Sequence, residues 1–256
     1  MTAPTVSVVI PALNEARNIP HVFGQLPVDI HEVILVDGRS VDDTVRVARA
    51  IRPNVIVVSQ TRTGKGNALA CGFAAATGDV IAMVDADGSA DPGEIPQFVQ
   101  ALLDGADFAK GTRFALGGGS DDITRVRGLG NHLLTTFFNL RHRRRYSDLC
   151  YGYNVFWRRC VPVLGLDAAS PMPADGSRLW GDGFEVETLI HVRAAKAGLR
   201  VAEVASHEYL RIHGASNLHA VRDGLRVART ILLDRGAEPR RTRRRAPERH
   251  DLETAA

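Results

Sequence analysis

Four short runs, at residues 6–10, 32–36, 55–59 and 79–84, are rich in valine and isoleucine and apolar almost throughout. A strand with one wet face alternates apolar and polar residues. A run without that alternation belongs to a parallel strand covered on both faces. Helical patterns lie between these runs. Ser40 followed by Asp43 predicts an N-cap and an acidic third position for a helix through Ala50 that stops before Pro53. Residues 65–76 are alanine-rich, and Gly78 is placed to end that helix. Pro92 predicts the first turn of a helix to Asp104. A βαβαβαβ series of this kind specifies a doubly wound, mostly parallel α/β sheet, which binds ligands outside the carboxyl ends of its strands.

After Gly111 the pattern changes. Residues 116–122 are glycine-rich and read as a loop, and 126–141 read as a helix with an apolar face of Leu129, Leu133, Leu134, Phe137 and Phe138. A tyrosine-rich stretch at 146–153 leads to a short strand at 154–157. A loop with Pro162, Pro171 and Pro173 precedes a helix at 184–196, a strand at 200–205 and an amphipathic helix through Leu233. The expected organisation is one α/β domain over 1–235, whose pattern changes near residue 112. An Arg/Pro/Glu-rich, structureless tail follows over 236–256.

The chain of 256 residues is 45% hydrophobic and 24% charged, an ordinary globular balance. Its three cysteines, Cys71, Cys150 and Cys160, have no CxxC spacing, which argues against a disulfide framework or a zinc site and for a reducing cytoplasm. No stretch approaches the roughly 20 apolar residues of a membrane span. The net charge is only +3 but uneven, with one arginine cluster at 141–145 and another at 240–245. Such clusters are solvated surface or contacts for anionic lipid, so a peripheral position at the inner face of a membrane is open. Nucleic acid is not expected, because no aromatic residues interleave with the tail arginines.

The ends of the strand candidates carry the chemistry. The first is followed by Pro11-Ala12-Leu13-Asn14-Glu15, the second ends in Asp37-Gly38, and the fourth in Asp85-Ala86-Asp87. All point to one rim. A carboxylate pair such as Asp85 and Asp87 suits Mg²⁺ or Mn²⁺, which keep waters and bind phosphate oxygens. Lys65, between Gly64 and Gly66 at a helix start, offers a point charge where backbone can approach phosphate or ribose. Neither a Walker loop nor a GxGxxG after the first strand is present. Asp182 is a candidate general base or an N-cap. Glu185 and Glu187 cannot both face one side of a helix. His213 is a late metal ligand or a loop residue, and Trp157 and Trp180 are core or a sugar platform.

Taken in order, Pro11-Ala12-Leu13-Asn14-Glu15, Val36-Asp37-Gly38-x-Ser40-x-Asp42-x-Thr44, Gly64-Lys65-Gly66-x-Ala68-Leu69 and Asp85-Ala86-Asp87 resemble the family-two glycosyltransferases of GT-A fold. Lys110-Gly111-Thr112-Arg113-Phe114, the segments 127–131 and 148–153, and Arg211-x-x-Gly214-x-Ser216-Asn217-Leu218 resemble the dolichyl- or polyprenyl-phosphate sugar synthase branch. The resemblance covers about residues 5–220 and implies a single catalytic domain over 1–235, with a nucleotide-sugar half to about 112 and an acceptor half over 113–235. It implies an inverting, metal-dependent transfer from a nucleotide-diphosphate sugar, with Mg²⁺ or Mn²⁺. Pro11, Leu13, Asn14, Glu15, Asp37 and Gly38 would border the nucleotide, Asp37 meeting the base or ribose. Asp85, Ala86 and Asp87 would hold metal and diphosphate. Arg113 and Arg127 would meet an acceptor phosphate, with Asn131 and Ser216 on the acceptor side, and Arg211 and Ser216 lie on the loop that closes over the donor.

The branch often has glutamine where this chain has Ser89, and lysine where it has Asn217. A polyprenyl phosphate is already anionic and needs only positioning, whereas a soluble hydroxyl acceptor needs a base, with Asp182 as candidate. A nucleotidyltransferase would carry a Gly-rich basic loop where Pro11 to Glu15 stand. A non-catalytic nucleotide-sugar binder is a further alternative.

Overall fold

The computed structural model describes residues 3–214 and 220–234. In chain order the elements are β1 (Val6–Ala12), α1 (Ile19–Gly24), β2 (Glu32–Asp37), α2 (Thr44–Ile51), β3 (Ile56–Ser59), α3 (Lys65–Ala75), β4 (Val80–Met83), α4 (Ile95–Leu103), β5 (Phe108–Thr112), β6 (Gly119–Ser120), α5 (Arg125–His142), β7 (Asn154–Trp157), α6 (Val161–Leu164), α7 (Val186–Lys196), β8 (Val201–Ala205), β9 (His207–Glu208) and α8 (Ala220–Leu233).

The main sheet has seven strands in the order β3-β2-β1-β4-β7-β5-β8. β7 is antiparallel to both neighbours and every other pairing is parallel. The chain steps outward from β1 to β2 to β3, then returns to β4 on the other side of β1. This reversal opens a crevice at the carboxyl ends of β1 and β4, which are paired Val9 to Met83. Because β7 is reversed, β5 and β8 deliver their carboxyl ends to the same rim. One continuous sheet thus serves both halves of the chain.

The strands are apolar throughout because both faces are covered. Val6, Val8 and Ile10 of β1 join a core with Ile19, Val22 and Phe23 of α1 and Ile95, Phe98 and Leu102 of α4. Val9, between them, joins the opposite core with Leu69 and Phe73 of α3 and Val186 and Ile190 of α7. Helix α3 lies directly on the sheet at Gly72, where a Cβ would come within 2.3 Å of the Val9 side chain. A third cluster, of Phe138, Tyr146, Leu149, Val192 and Ile231, joins α5, α7 and α8.

Several local expectations are corrected. Asp43, not Ser40, precedes α2 as its N-cap; the Ser40 hydroxyl instead accepts from the Asn14 amide at 3.0 Å. Helix α3 ends at Ala75 with Ala76 as its extended C-cap, and the Gly78 amide donates to Ser7 Oγ at 2.9 Å rather than closing a helix. Pro92–Glu94 is a 3-10 turn capped by Asp91, and only Ile95–Leu103 is α-helical. The glycine-rich loop contains β6, which pairs with β9. The expected apolar face of α5 is divided. Phe138 is buried, and Leu134 and Phe137 pack against it, but Leu129 and Leu133 point to solvent.

Candidate active site

At the end of β1 the chain turns through Asn14, whose φ of 58° is left-handed. Asparagine tolerates that region when its side chain bonds locally, and Asn14 Oδ1 accepts from the Val41 amide at 2.8 Å. Pro11 is paired with Val36 in the sheet, and Leu13 stands half exposed on the rim. Gly38 donates to the Ala12 carbonyl at 2.7 Å. Asp37 accepts from the amides of Arg39 and Ser40, each at 3.2 Å.

Glu15 is turned inward. Its carboxylate takes the Arg211 guanidinium at 3.0 Å and the Asn18 amide. Arg211 Nη2 also lies 3.5 Å from Asp87 Oδ2. Asp87 Oδ1 accepts from the Ser89 amide at 3.0 Å and hydroxyl at 2.7 Å. The loop carrying Arg211 docks on the same turn, with the Tyr209 and Ile212 amides donating to the carbonyls of Ser89 and Asp87. The ends of β1 and β4 and the 209–214 loop therefore meet around one cation.

Lys65 does not present a free charge. Its ammonium sits 2.7 Å from Asp85 and 2.6 Å from Glu187. Burial alone would depress the lysine pKa, but the two carboxylates outweigh it and hold the group protonated well above the usual lysine range. Burial, reinforced by Asp85, pushes the Glu187 carboxyl up. Glu185, one turn edge away, folds back to accept from the amides of Gly181 and Gly183. Glu187 is thus the cleft carboxylate of α7. The signal for it was the offset of two residues, which puts the pair on different faces, but spacing alone does not say which faces the crevice.

Asp182 is 3% exposed and Arg62 2%. Both Asp182 oxygens take the Arg62 guanidinium, at 2.8 and 2.9 Å, and Oδ2 accepts from the Leu179 amide as well. A base needs a lone pair open to the acceptor, so this geometry fits an anchor, not a base. Arg62 also donates to the carbonyls of Asp167 and Ser170, so with Asp182 it ties two stretches of the proline-rich loop to the chain after β3.

Arg113 and Asn131 are likewise committed inward. Arg113 forks onto Asp148 at 2.7 and 2.9 Å and reaches Glu208 at 2.9 Å. Asn131 donates to Asp148 at 3.0 Å. Burial would raise the Asp148 pKa, but the Arg113 hydrogen bonds and the charges of Lys110 and Arg113 bring it below the usual carboxylate range. These two residues therefore brace the rim instead of facing an acceptor phosphate. Arg127 is a third exposed and pairs with Asp122 at 2.6 Å, so its charge is reachable from solvent. Ser216 lies outside the described residues, as does the 236–256 tail. Trp157 donates from Nε1 to the Ala106 carbonyl and packs in the core, whereas Trp180 is partly exposed with Arg229 over its ring. The His213 carbonyl accepts from Asn18 and Arg211.

Among the described residues no group of three His, Cys, Asp or Glu side chains converges to hold a metal unaided. Asp87 Oδ2 makes one long contact, to Arg211, and Asp85 is a third exposed, with both of its oxygens on the Lys65 ammonium at 2.7 and 2.8 Å. One or two carboxylates with substrate phosphate oxygens form the donor set that Mg²⁺ and Mn²⁺ accept, so these residues fit such an ion. No helix among the described residues is long and apolar enough to cross a membrane.

The chain is 35% identical over 205 residues to an uncharacterised glycosyltransferase of Mycobacterium tuberculosis, covering 80% of this chain and 85% of that one. It is 28% identical over 208 residues to an undecaprenyl-phosphate mannosyltransferase of Micrococcus luteus, covering 78% and 81%. Among solved structures, glucosyl-3-phosphoglycerate synthase of Mycobacterium tuberculosis, in complex with Mn²⁺, UDP and phosphoglyceric acid, superposes with a TM-score of 0.65 at 25% identity over 90% of this chain and 78% of that one. The fold is GT-A. The profile of Glycosyl transferase family 2 matches residues 7–161, and with the crevice of β1 and β4 carrying its acids, the chain belongs to that family of glycosyltransferases.

Proposed function

We propose that this enzyme moves a sugar from a nucleotide-diphosphate donor to a polyprenyl phosphate at an anionic membrane surface, with inversion and with a divalent metal. The observation that carries the acceptor is α5. Val126, Leu129, Leu133 and Leu140 are 77%, 62%, 60% and 77% exposed. At 100° per residue they form one stripe, about 21 Å long at 1.5 Å per residue. Arg141, Arg143 and Arg145 stand exposed at its end. An apolar stripe beside cations is the chemistry of a helix lying at a lipid interface.

In the transfer, an acceptor phosphate oxygen attacks the anomeric carbon, and the bond to the nucleotide diphosphate breaks with its electron pair on the leaving group. Asp87, with Asp85, would hold the metal, which supplies Lewis-acid neutralisation of that diphosphate. Arg211, braced by Glu15, adds a fixed positive charge at the same place. Lys65 fixes the Asp85 carboxylate. Arg127 is the reachable cation for the acceptor phosphate, and no base is required.

A second reading is favoured by Glu187 and by the likeness to glucosyl-3-phosphoglycerate synthase. A hydroxyl acceptor needs a base, and a carboxylate whose pKa is raised by burial beside the donor site suits that task better than Asp182. The test incubates the protein with UDP- and GDP-sugars, Mn²⁺, and either polyprenyl phosphate in anionic vesicles or phosphoglyceric acid in solution. Sugar on the lipid supports the first reading. Sugar only on the soluble acceptor overturns it and leaves Glu187 as the base to mutate.

A further inference from the structure

Arg39 follows Asp37 and Gly38 at the end of β2, and its φ is 67°. Among the described residues, the other non-glycine residues with positive φ are Asn14 and Arg143. Asn14 is a residue type that tolerates the region, and Arg143 closes α5 as its C-cap. Arg39 has neither reason. Glycine would take this conformation without strain, so the side chain is kept at a conformational cost, and such sites cluster where ligands bind.

The guanidinium is also placed for a ligand. Arg39 Nη2 contacts the Thr61 carbonyl at 3.4 Å, so the exposed side chain reaches from the end of β2 to the chain leaving β3. Asp37, two residues earlier, accepts only two long amide bonds of 3.2 Å and keeps lone pairs to spare. Leu13 offers an apolar flank, 49% exposed, and its Cβ lies 3.1 Å from where a Gly38 Cβ would stand. The patch combines an apolar flank, an anionic acceptor and a cationic donor at the edge of the crevice.

We propose that Arg39 is a specificity-determining residue for the donor base. With Asp37 accepting a ring N–H and Arg39 donating to the neighbouring carbonyl oxygen, the pair reads the edge that uracil and guanine share. Cytosine and adenine present the reverse: a ring lone pair toward the carboxylate and an amino group toward the guanidinium. Both are mismatched, which rejects them by unpaired and opposed groups. This inference rests on the nucleotide-sugar donor reading.

The experiment measures dissociation constants of UDP, GDP, CDP and ADP with Mn²⁺ for the wild type and Arg39→Gly, with thermal midpoints of the free proteins. The wild type is expected to prefer UDP or GDP over CDP and ADP by about tenfold or more, the scale of a charged hydrogen bond. The UDP and GDP arms separate the two bases. Arg39→Gly should hold or raise the midpoint, because the left-handed strain is relieved, yet weaken the preferred nucleotide more than about threefold and narrow the preference. A change below that, or a wild type that takes CDP or ADP as tightly, overturns the role of Arg39. A wild type that binds no nucleoside diphosphate overturns the donor reading itself, which an unchanged Arg39→Gly would not.

Discussion

The ammonium of Lys65 lies 2.7 Å from Asp85, the first carboxylate of the Asp-Ala-Asp turn. The same ammonium holds Glu187 from the opposite side of the cleft. One cation therefore joins the start of α3, the end of β4 and the first turn of α7. Removing it leaves two carboxylates facing each other in a largely buried place. Lys65→Met is expected to cost about 2–3 kcal/mol of stability, toward the low end for a broken buried pair because Asp85 is partly exposed. Turnover should fall about 10–100-fold as Asp85 loses its bearing. Adding Glu187→Gln to Lys65→Met should return part of the stability, because the repulsion goes with the charge. Urea titrations of the four-member cycle measure that coupling, and strict additivity would contradict the arrangement.

Asp87→Ala should reduce transfer by about 100-fold or more and abolish the effect of Mn²⁺ on nucleotide binding. The fold should survive, because the side chain caps the turn at Ser89 and makes one long contact to Arg211, which keeps Glu15, so its loss costs about 1 kcal/mol. Calorimetric binding of UDP and GDP with metal and with chelator checks this. Near wild-type transfer in chelator would remove the metal from the reaction.

Asp182 and Glu187 exchange the roles their positions invite. Asp182→Asn weakens the fork on buried Arg62 and should cost about 3 kcal/mol, while the kcat of the folded protein stays within about threefold. Glu187→Gln should do the reverse with a hydroxyl acceptor: a modest stability change and a kcat loss of about 100-fold or more. Thermal melts and initial rates on both variants separate the two. A stable Asp182→Asn protein with a collapsed kcat would restore Asp182 as the base.

The same pair shows what could be read from the chain and what could not. The crevice was legible because it follows from local signals. Apolar runs define parallel strands, and the acids stand at the positions where those strands end. Pairing across the molecule was not legible. Nothing local ties Arg62 to Asp182, which is 120 residues away, or Arg113 to Asp148 and Glu208, so Asp182 and Arg113 looked available for substrate. Likewise β5 escaped notice, because its Lys110 and Gly111 break the apolar pattern; Lys110 is fully buried and donates to the Gly111 carbonyl.

The Arg113–Asp148 fork also sets an acid limit. The Asp148 pKa is lower in the folded protein than the ordinary aspartate value of about 3.9. Its stabilising contribution is therefore complete above that value and is lost as pH falls through the folded-state pKa. Asp148→Asn should lower stability by about 3 kcal/mol at neutral pH, Arg113 keeping Glu208, and should flatten the loss of stability below about pH 4. Denaturant unfolding at stepped pH values reads both effects. Parallel pH profiles for the two proteins would mean that Asp148 does not carry that loss.

The exposed stripe of α5 makes the strongest demand on the proposed acceptor. Four large apolar side chains on one line are costly to leave in water, since burying each would gain about 1.5–3 kcal/mol. The inner side of the helix is already satisfied by Phe138, Leu134 and Phe137, so the outer leucines are not required by the fold. The arginines beside them divide by geometry. Arg144 donates to the Ala195 carbonyl at 2.7 Å and belongs to the packing, whereas Arg141, Arg143 and Arg145 are exposed. Leu129→Ser with Leu133→Ser should therefore leave the thermal midpoint unchanged or raised, and Arg141→Ser with Arg143→Ser and Arg145→Ser should do the same. Each set should weaken sedimentation with phosphatidylserine vesicles, the arginine set by about 1 kcal/mol per charge at low salt. Salt should release the wild type from the vesicles but affect the arginine variant little. Transfer to a lipid phosphate should fall with vesicle binding, while slow hydrolysis of the donor should not change. If the leucine variant still sediments like the wild type, the stripe is not the lipid contact. If both variants transfer sugar to polyprenyl phosphate at wild-type rates, α5 has no part in reaching the acceptor.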